Sequence, residues 1–279
     1  MNQQVEMELS IEGERLKEIC DLAAEAVSRS IKEMVGDPSS GQVTQMGADG
    51  TPTKSIDGKA EEAVIDVLER SGVEFAILSE ELGRKKIGKN PRYFLHLDPL
   101  DGTFNAICGI PFYSVSIYIS GESCSFGYVF DLAHEVKFYA EKGRGAWTET
   151  KGDRSPLNVS STPTLHNFSV SAYTLRPNTG RIVCLGDVVR RIRTLGSTSL
   201  ELCFVAAGRL DAFVDFRGGL RLVDVAAGSL IVEEAGGLVT DDRGDQIQFN
   251  GDMWQKAEFL ASNGLFHREI LDLIGGGRS

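Results

Sequence analysis

The sequence predicts an α/β protein in which layers of helices pack against layers of strands. Runs with the helical spacing of apolar residues alternate with short strand-like apolar runs. The 279 residues, 42% of them hydrophobic, suffice for one large domain or two smaller ones with a substantial core. The mixture favours a layered α/β arrangement, although pattern alone does not give the order of the layers.

Charge and composition limit the possible partners. The net charge of -11 argues against non-specific nucleic-acid binding, which needs a basic surface. A small anionic substrate stays possible, because a bound metal ion reverses the local sign of the charge. No apolar run has the length of about 18 residues that a membrane span needs, so we expect no membrane partner. The five cysteines are scattered without a CxxC pair, which favours reduced thiols and a cytoplasmic location.

The first elements are two helices separated by a long segment. Apolar residues at helical spacing predict a helix over 14–35, which Gly36 can end. Residues 36–56 are rich in Gly, Ser, Pro and Thr and predict a loop, and loops of this length are often functional. A second helix is expected from about Gly58 to Arg70, with Asp57 as its N-cap.

Strands dominate the middle of the chain. Three neighbouring candidates alternate apolar and polar residues and predict an antiparallel meander, whereas the polar residues 143–165 predict a loop. We predict strands at 74–79, 93–97, 113–120, 124–130, 135–140, 168–173, 211–216, 237–240 and 257–261, and further helices at 198–207, 225–235 and 265–274.

The most informative segment is D-P-L-D-G-T, residues 98–103. Asp98 and Asp101 follow a strand-like run, and the Leu100 carbonyl can add a third oxygen. Carboxylates this close repel each other unless a cation lies between them, and oxygen ligands suit Mg2+ better than Zn2+. Gly102 permits close approach of backbone N–H groups to a phosphate, and the Thr103 hydroxyl lies next to the metal. We therefore predict that this segment forms a catalytic magnesium site.

Three other acidic residues each have a structural alternative. Glu80 ends an apolar strand and could belong to a charged loop, and Asp57 and Asp224 could simply cap helices. A haloacid-dehalogenase phosphatase has the motif D-x-D-G-T, but here the spacing is one residue longer. Such a shift turns a strand side chain to the opposite face, which disfavours that class.

Taken together, these motifs resemble the inositol monophosphatase and fructose-1,6-bisphosphatase superfamily of lithium-sensitive, Mg2+-dependent phosphatases, and their details resemble its archaeal dual-specificity branch. The resemblance implies an α-β-α-β-α sandwich, usually a homodimer, that is active on inositol-1-phosphate and fructose-1,6-bisphosphate. It implies one phosphatase unit over 1–279, with a metal-binding half at about 1–150 and a substrate half at about 151–279. The motifs follow the family's order at 50–57, 78–81, 98–103, 109–116, 195–197, 223–228 and 234–237.

The resemblance also implies roles for individual residues. Thr103 with Glu80 would orient a metal-activated water that attacks the phosphorus directly, and the amides of Asp101, Gly102 and Thr103 would hold the phosphate. Asp57 with Glu80 would support a third metal ion, and the 36–56 loop would contribute Asp49 and Thr51. Two Mg2+ ions would be held by Glu80, Asp98, Asp101, Asp224 and the Leu100 carbonyl.

The sequence indicates the residues that bind the rest of the substrate less clearly. Arg217 and Arg193 are candidates for binding a second phosphate, with Thr198 and Asp215 beside them, although each arginine could be a solvated surface charge. Tyr173 and Arg176 are weaker candidates.

Two other functions stay open at this point. One is a phosphatase of the same superfamily that acts on 3'-phosphoadenosine phosphate or on NADP. The other is an inactive metal-binding regulator, which the intact set of carboxylates and Thr103 disfavours.

Overall fold

The computed structural model describes residues 8–48, 50, 52–173, 179–247 and 256–275. The α-helices are α1 Ile11–Ile31, α2 Ser55–Arg70, α3 Thr103–Cys108, α4 Thr179–Gly186, α5 Thr198–Ala206, α6 Leu222–Glu234 and α7 His267–Gly275. The strands are β1 Val43–Met46, β2 Pro52–Lys54, β3 Phe75–Ser79, β4 Gly83–Ile87, β5 Tyr93–Asp101, β6 Ser114–Ser120, β7 Ser125–Asp131, β8 Val136–Glu141, β9 Gly145–Thr150, β10 Asp153–Pro156, β11 Ser169–Ala172, β12 Arg191–Arg193, β13 Ala212–Arg221, β14 Leu238–Thr240 and β15 Lys256–Ser262.

The first layers are the pair α1 and α2 and an eight-stranded sheet. Helix α1 begins after Ser10, whose hydroxyl accepts a hydrogen bond of 2.9 Å from the Gly13 N–H. Its apolar face and that of α2 pack on the sheet, whose strand order is β10-β9-β8-β7-β6-β5-β3-β4. Strands β3 and β5 are parallel, and β5 to β8 form an antiparallel run that contains the predicted meander.

Helices α5 and α6 form the middle layer between this sheet and a second one. One hydrophobic cluster joins Phe138 of the first sheet, Leu200 of α5, Ile231 of α6 and Phe259 of the second sheet. The second sheet has the order β12-β11-β13-β15-β14, and α4 and α7 cover its outer face. The layers therefore follow the order α-β-α-β-α, which confirms the predicted fold class.

Several local predictions were wrong. The supposed loop 36–56 contains a 3-10 turn, Pro38–Gly41, and the hairpin β1–β2. The supposed loop 143–165 contains β9 and β10, and β4, α4 and β12 were not predicted. Every residue of β1 and of β10 is exposed, so these edge strands lack the apolar alternation on which the prediction depended. Among the helices described, none has the length and apolar character to cross a membrane.

Candidate active site

A cavity of about 350 Å³ lies where the ends of β3 and β5 meet the start of α6. Glu80 follows β3, Asp98 lies in β5, and Asp224 is in the first turn of α6. Parallel strands bring their carboxyl ends to the same edge of a sheet, which explains why Glu80 and Asp98 are close. The cavity is lined by Glu80, Asp98, Leu100, Asp101, Gly102, Thr103, Thr198, Arg217, Gly219, Leu220, Arg221, Asp224 and Lys256.

A β-bulge sets the direction of the two aspartates in D-P-L-D-G-T. Asp98 pairs with Ser116 and Asp101 pairs with Ser114, so three steps along β5 match two steps along β6. The extra residue restores the alternation of faces, and both carboxylates come to the same face of the sheet. The i, i+3 spacing therefore depends on a local irregularity of the strand.

Three carboxylates form a compact cluster. One oxygen from each of Glu80, Asp98 and Asp224 lies within 4.8 Å of the others. Burial, and then repulsion from Glu80 and Asp101, raises the pKa of Asp98 well above its usual range. Burial also raises the pKa of Glu80 to about 8, against the opposing effect of Arg221.

Arg221 reaches into this cluster. Its Nη2 donates to Glu80 Oε1 at 2.6 Å and to Asp224 Oδ1 at 3.0 Å. Its backbone N–H and its Nε donate to Asp224 Oδ2 at 2.9 and 3.3 Å. One guanidinium therefore bridges two of the three clustered carboxylates.

Asp101 is held differently from the cluster. Its Oδ2 accepts hydrogen bonds from the Ser197 hydroxyl at 2.8 Å and from the Ser199 N–H and hydroxyl at 2.7 and 2.5 Å. Burial raises its pKa although these donors oppose the rise. The structure brings Asp101 to the cavity with this oxygen fixed to the start of α5.

Gly102 and Thr103 form the turn into α3. Gly102 has φ 91°, and a Cβ there would lie 2.9 Å from the Phe112 carbonyl oxygen, so the position requires glycine. The Thr103 hydroxyl donates to the Leu100 carbonyl at 3.0 Å. The residues predicted to hold the phosphate and to orient water therefore lie together beside the carboxylates.

Asp57 caps α2 from the third helical position and not from the predicted N-cap position. It is the third residue of the helix, and its Oδ2 accepts a hydrogen bond of 3.3 Å from the Lys54 N–H. Burial raises the pKa of its carboxyl, and the neighbouring Thr103 hydroxyl opposes that rise. Asp57 therefore lies behind Thr103 and is not among the residues that line the cavity.

Arg217 also lines the cavity, and its guanidinium is held by neighbouring groups. Its Nε and Nη2 donate to Asp215 Oδ1 and Oδ2 at 2.9 and 2.5 Å, and its guanidinium carbon lies 4.1 Å from the centre of the Tyr173 ring. Asp215 is fully buried, so it supports Arg217 from below the cavity wall. Thr198 also lines the cavity.

Not every predicted substrate residue reaches the cavity. Arg193 is exposed in the edge strand β12 and is not among the lining residues. Asp49, Thr51 and Arg176 lie outside the described residues.

Sequence reasoning missed Lys256 and the buried supports of the site. Lys256 lines the cavity because β15 pairs it with Arg221, a long-range register that no local motif signals. Glu201 accepts a hydrogen bond from the Leu195 N–H at 2.8 Å and another from the Ser171 hydroxyl, and burial raises its pKa to about 7. Its position in a helix after Leu-Gly-Ser was the only available signal.

The donor set fits a divalent metal ion. The clustered ligands are carboxylates, with a backbone carbonyl in the same cavity wall, and such hard oxygen donors suit Mg2+. Burial first, and then the neighbouring carboxylates, raise the pKa values of Glu80 and Asp98, so a cation bound between these groups would stabilise their charged forms.

Comparison with known proteins identifies the family. The model of the inositol monophosphatase family matches residues 13–275. The chain belongs to this family. Family and fold thus agree with the prediction, and the predicted enzyme class, a phosphoric monoester hydrolase, agrees with the names of the relatives.

Individual relatives support the archaeal branch. A fructose-1,6-bisphosphatase/inositol-1-monophosphatase of Methanothermobacter thermautotrophicus is 38% identical over 265 residues, which cover 90% of this chain and 93% of that protein. A bifunctional NADP phosphatase/NAD kinase of Methanococcus maripaludis is 36% identical over 271 residues, which cover 90% of this chain but 48% of that protein, so this chain spans about half its length. A solved Pyrococcus horikoshii structure, described as similar to inositol-1 monophosphatase, superposes with a TM-score of 0.79 at 31% identity and covers 94% of this chain and 97% of that one.

Proposed function

We propose that this family member is a Mg2+-dependent phosphomonoester hydrolase that acts on inositol-1-phosphate and fructose-1,6-bisphosphate. The observation that carries the proposal is the cluster of Glu80, Asp98 and Asp224 next to the Gly102–Thr103 turn in one cavity. The name of the Methanothermobacter relative supports both substrates.

Two or three Mg2+ ions would be held by Glu80, Asp98, Asp224, Asp101 and the Leu100 carbonyl, with Asp57 supporting the third. Bound there, the ions would activate water and neutralise charge that develops on the phosphate and the leaving oxygen. Asp224 belongs to the C-terminal half of the chain, so the proposed metal-binding and substrate halves would share the metal site.

The chain's own groups position the reactants. Thr103 and Glu80 would orient the attacking water, and the backbone N–H groups of residues 101–103 would hold the phosphate from the other side. The Thr103 hydroxyl donates to the Leu100 carbonyl, which leaves its oxygen available as an acceptor for a water proton. Such pre-set donors and acceptors lower the barrier by orientation.

Arg217 would bind the second phosphate of a bisphosphate. A guanidinium that two carboxylate oxygens and an aromatic face already hold loses little entropy when it binds an anion. Lys256 adds a further positive charge to the same cavity. A monophosphate has no second phosphate for Arg217 and Lys256 to bind. Loss of Arg217 should therefore weaken binding of fructose-1,6-bisphosphate more than binding of inositol-1-phosphate.

Phosphate release in the presence of Mg2+ tests the proposal directly. Inositol-1-phosphate and fructose-1,6-bisphosphate are compared side by side, with and without a chelator, and Asp98→Asn serves as the control for contaminating phosphatase. Metal-dependent turnover of both substrates by the unmodified protein supports the proposal. No release from either would contradict it.

A second candidate is an NADP phosphatase, because the Methanococcus relative bears that name at 36% identity. NADP and 3'-phosphoadenosine phosphate therefore belong in the same assay. Turnover of these nucleotides alone would keep the metal site but overturn the proposed substrates.

The role of Arg217 has its own test. We expect Arg217→Met to raise KM for fructose-1,6-bisphosphate about tenfold, the value of one lost charged hydrogen bond, and to change KM for inositol-1-phosphate much less. Arg193→Met, outside the cavity, is the matched control. Unchanged constants for both substrates in Arg217→Met would refute the assignment.

The proposal includes a cytoplasmic homodimer. Phe104 and Ile110, next to the site, are 68% and 44% exposed, and a partner subunit would cover them. Light scattering after gel filtration gives the molar mass, and a monomer at micromolar concentration would contradict the dimer.

A further inference from the structure

Arg221 forms several hydrogen bonds to carboxylates in the cavity. Its side chain donates to Glu80 and to both carboxylate oxygens of Asp224, at distances from 2.6 to 3.3 Å. Only 17% of the Arg221 side chain is exposed. These are charge-assisted hydrogen bonds, which are stronger than hydrogen bonds between neutral groups.

The atoms that Arg221 occupies are those that would hold a metal ion. A divalent cation needs lone pairs of Glu80 and Asp224, and both oxygens of Asp224 already accept hydrogen bonds from Arg221. Two cations cannot share these lone pairs without repulsion and without loss of hydrogen bonds.

We propose that Arg221 is the counter-ion of the metal-free site, and that a divalent metal ion must displace its guanidinium from Glu80 and Asp224 in order to bind. Arg221 is thus a positioning residue that keeps the carboxylates together before metal arrives and lowers the metal affinity. The inference rests on the proposed metal site.

Arg217 shows that this arrangement is specific to Arg221. Both arginines line the same cavity and bring the same charge to it. The guanidinium of Arg217 is bound to Asp215, which does not belong to the clustered carboxylates. Loss of Arg217 therefore removes the general electrostatic effect of a cation in the cavity without freeing a ligand oxygen.

Calorimetric titration of the chelator-treated full chain with Mg2+, repeated with Mn2+, tests the inference. We expect Arg221→Met to tighten binding about 10- to 100-fold, the value of the charge-assisted hydrogen bonds that the metal no longer has to break. We expect Arg217→Met to change the affinity by less than about threefold, because long-range charge effects in a hydrated cavity are small. Unchanged or weaker binding by Arg221→Met would overturn the inference.

Thermal unfolding separates this role from a merely structural one. Metal-free Arg221→Met should unfold at a lower temperature than the unmodified protein, because three carboxylates then repel without a counter-ion, and saturating Mg2+ should close that gap. An equal deficit with and without Mg2+ would mean that Arg221 only supports the fold, and would overturn the inference.

Arg221→Lys covers the case in which the methionine variant does not fold without metal. Lysine keeps the charge but cannot bridge two carboxylates with a planar fork, so its metal affinity should lie between those of the other two proteins. An affinity equal to or weaker than that of the unmodified protein would contradict the displacement. If none of the proteins binds Mg2+ or Mn2+, the proposed metal site itself is wrong, and the inference falls with it.

Discussion

Two aspartates, Asp215 within β13 and Asp224 just after it, have their charge balanced in opposite ways. Asp215 is fully buried and forms a closed pair with Arg217, in which Oδ1 accepts from the Arg217 N–H and Nε and Oδ2 accepts from Nη2. Asp224 shares Arg221 with Glu80, and Asp98 crowds the same space. The first arrangement is electrically complete, whereas the second has an excess of negative charge.

The difference separates a supporting pair from a reactive one. A closed buried pair stabilises a conformation, because breaking it leaves an uncompensated charge. A cluster with uncompensated negative charge destabilises the fold, but it can bind a cation. Glu201 is a third case, since hydroxyl and N–H donors hold it and burial raises its pKa to about 7.

The sharpest test of the contrast is Asp98→Asn. We expect at least a 1000-fold loss of kcat with Mg2+, because a metal ligand contributes several kcal/mol to catalysis. The same substitution should make the metal-free protein more stable near neutral pH, since it removes a carboxyl whose pKa burial and neighbouring charges raise.

Urea unfolding at about pH 7 and at about pH 4 measures the stability effect of Asp98→Asn. A raised pKa in the folded state means that stability is present at low pH and is lost as the pH rises, so the gain should be small at the lower pH and larger at the higher. Lower stability of Asp98→Asn at both pH values would show that the negative charge of the cluster is already compensated. The contrast with Asp215 would then disappear.

The same change at Asp215 should have the opposite sign. Asp215→Asn leaves the Arg217 guanidinium without its charge partner and should cost about 3 kcal/mol of unfolding free energy, since Arg217 is partly exposed. Urea unfolding measures the loss, and kcat with inositol-1-phosphate should fall far less than in Asp98→Asn. A neutral or stabilising effect would mean that Asp215 does not form a supporting pair.

Substitution of Glu201 should change the free energy of unfolding least among these variants. Its pKa in the folded state, about 7, exceeds the ordinary value of 4.5, so its contribution to stability is full below about pH 4.5 and is lost as the pH rises through about 7. Glu201→Gln should reduce the fall in stability between about pH 5 and pH 8 by roughly 2 kcal/mol. Ser171→Ala, which removes one donor and keeps the carboxyl, is the control. Parallel pH profiles for Glu201→Gln and the unmodified protein would contradict the assignment.

Sequence reasoning succeeded where the cause is local. The periodicity of 14–35 gives α1 within a few residues, and the alternation in 113–140 gives the meander. The string D-P-L-D-G-T identifies the cavity wall, because a bulge and a glycine with positive φ are encoded within a few residues. The exposed strands β1 and β10 escaped prediction, since solvent on both faces leaves no apolar pattern to read.

The sequence by itself determined the identity of the acidic groups, their order, the resemblance to the family and the layered fold class. Only the tertiary structure decided which charged side chains from distant segments meet. Arg193 and Arg217 look equivalent along the chain, yet one is exposed on an edge strand and the other is fixed at the cavity. Lys256 and Arg221 become neighbours through the pairing of β13 with β15, and Arg221 meets Glu80 only because α6 packs against the first sheet. Local spacing sets backbone conformation, but charge partners from distant segments depend on how the two sheets close around the middle helices.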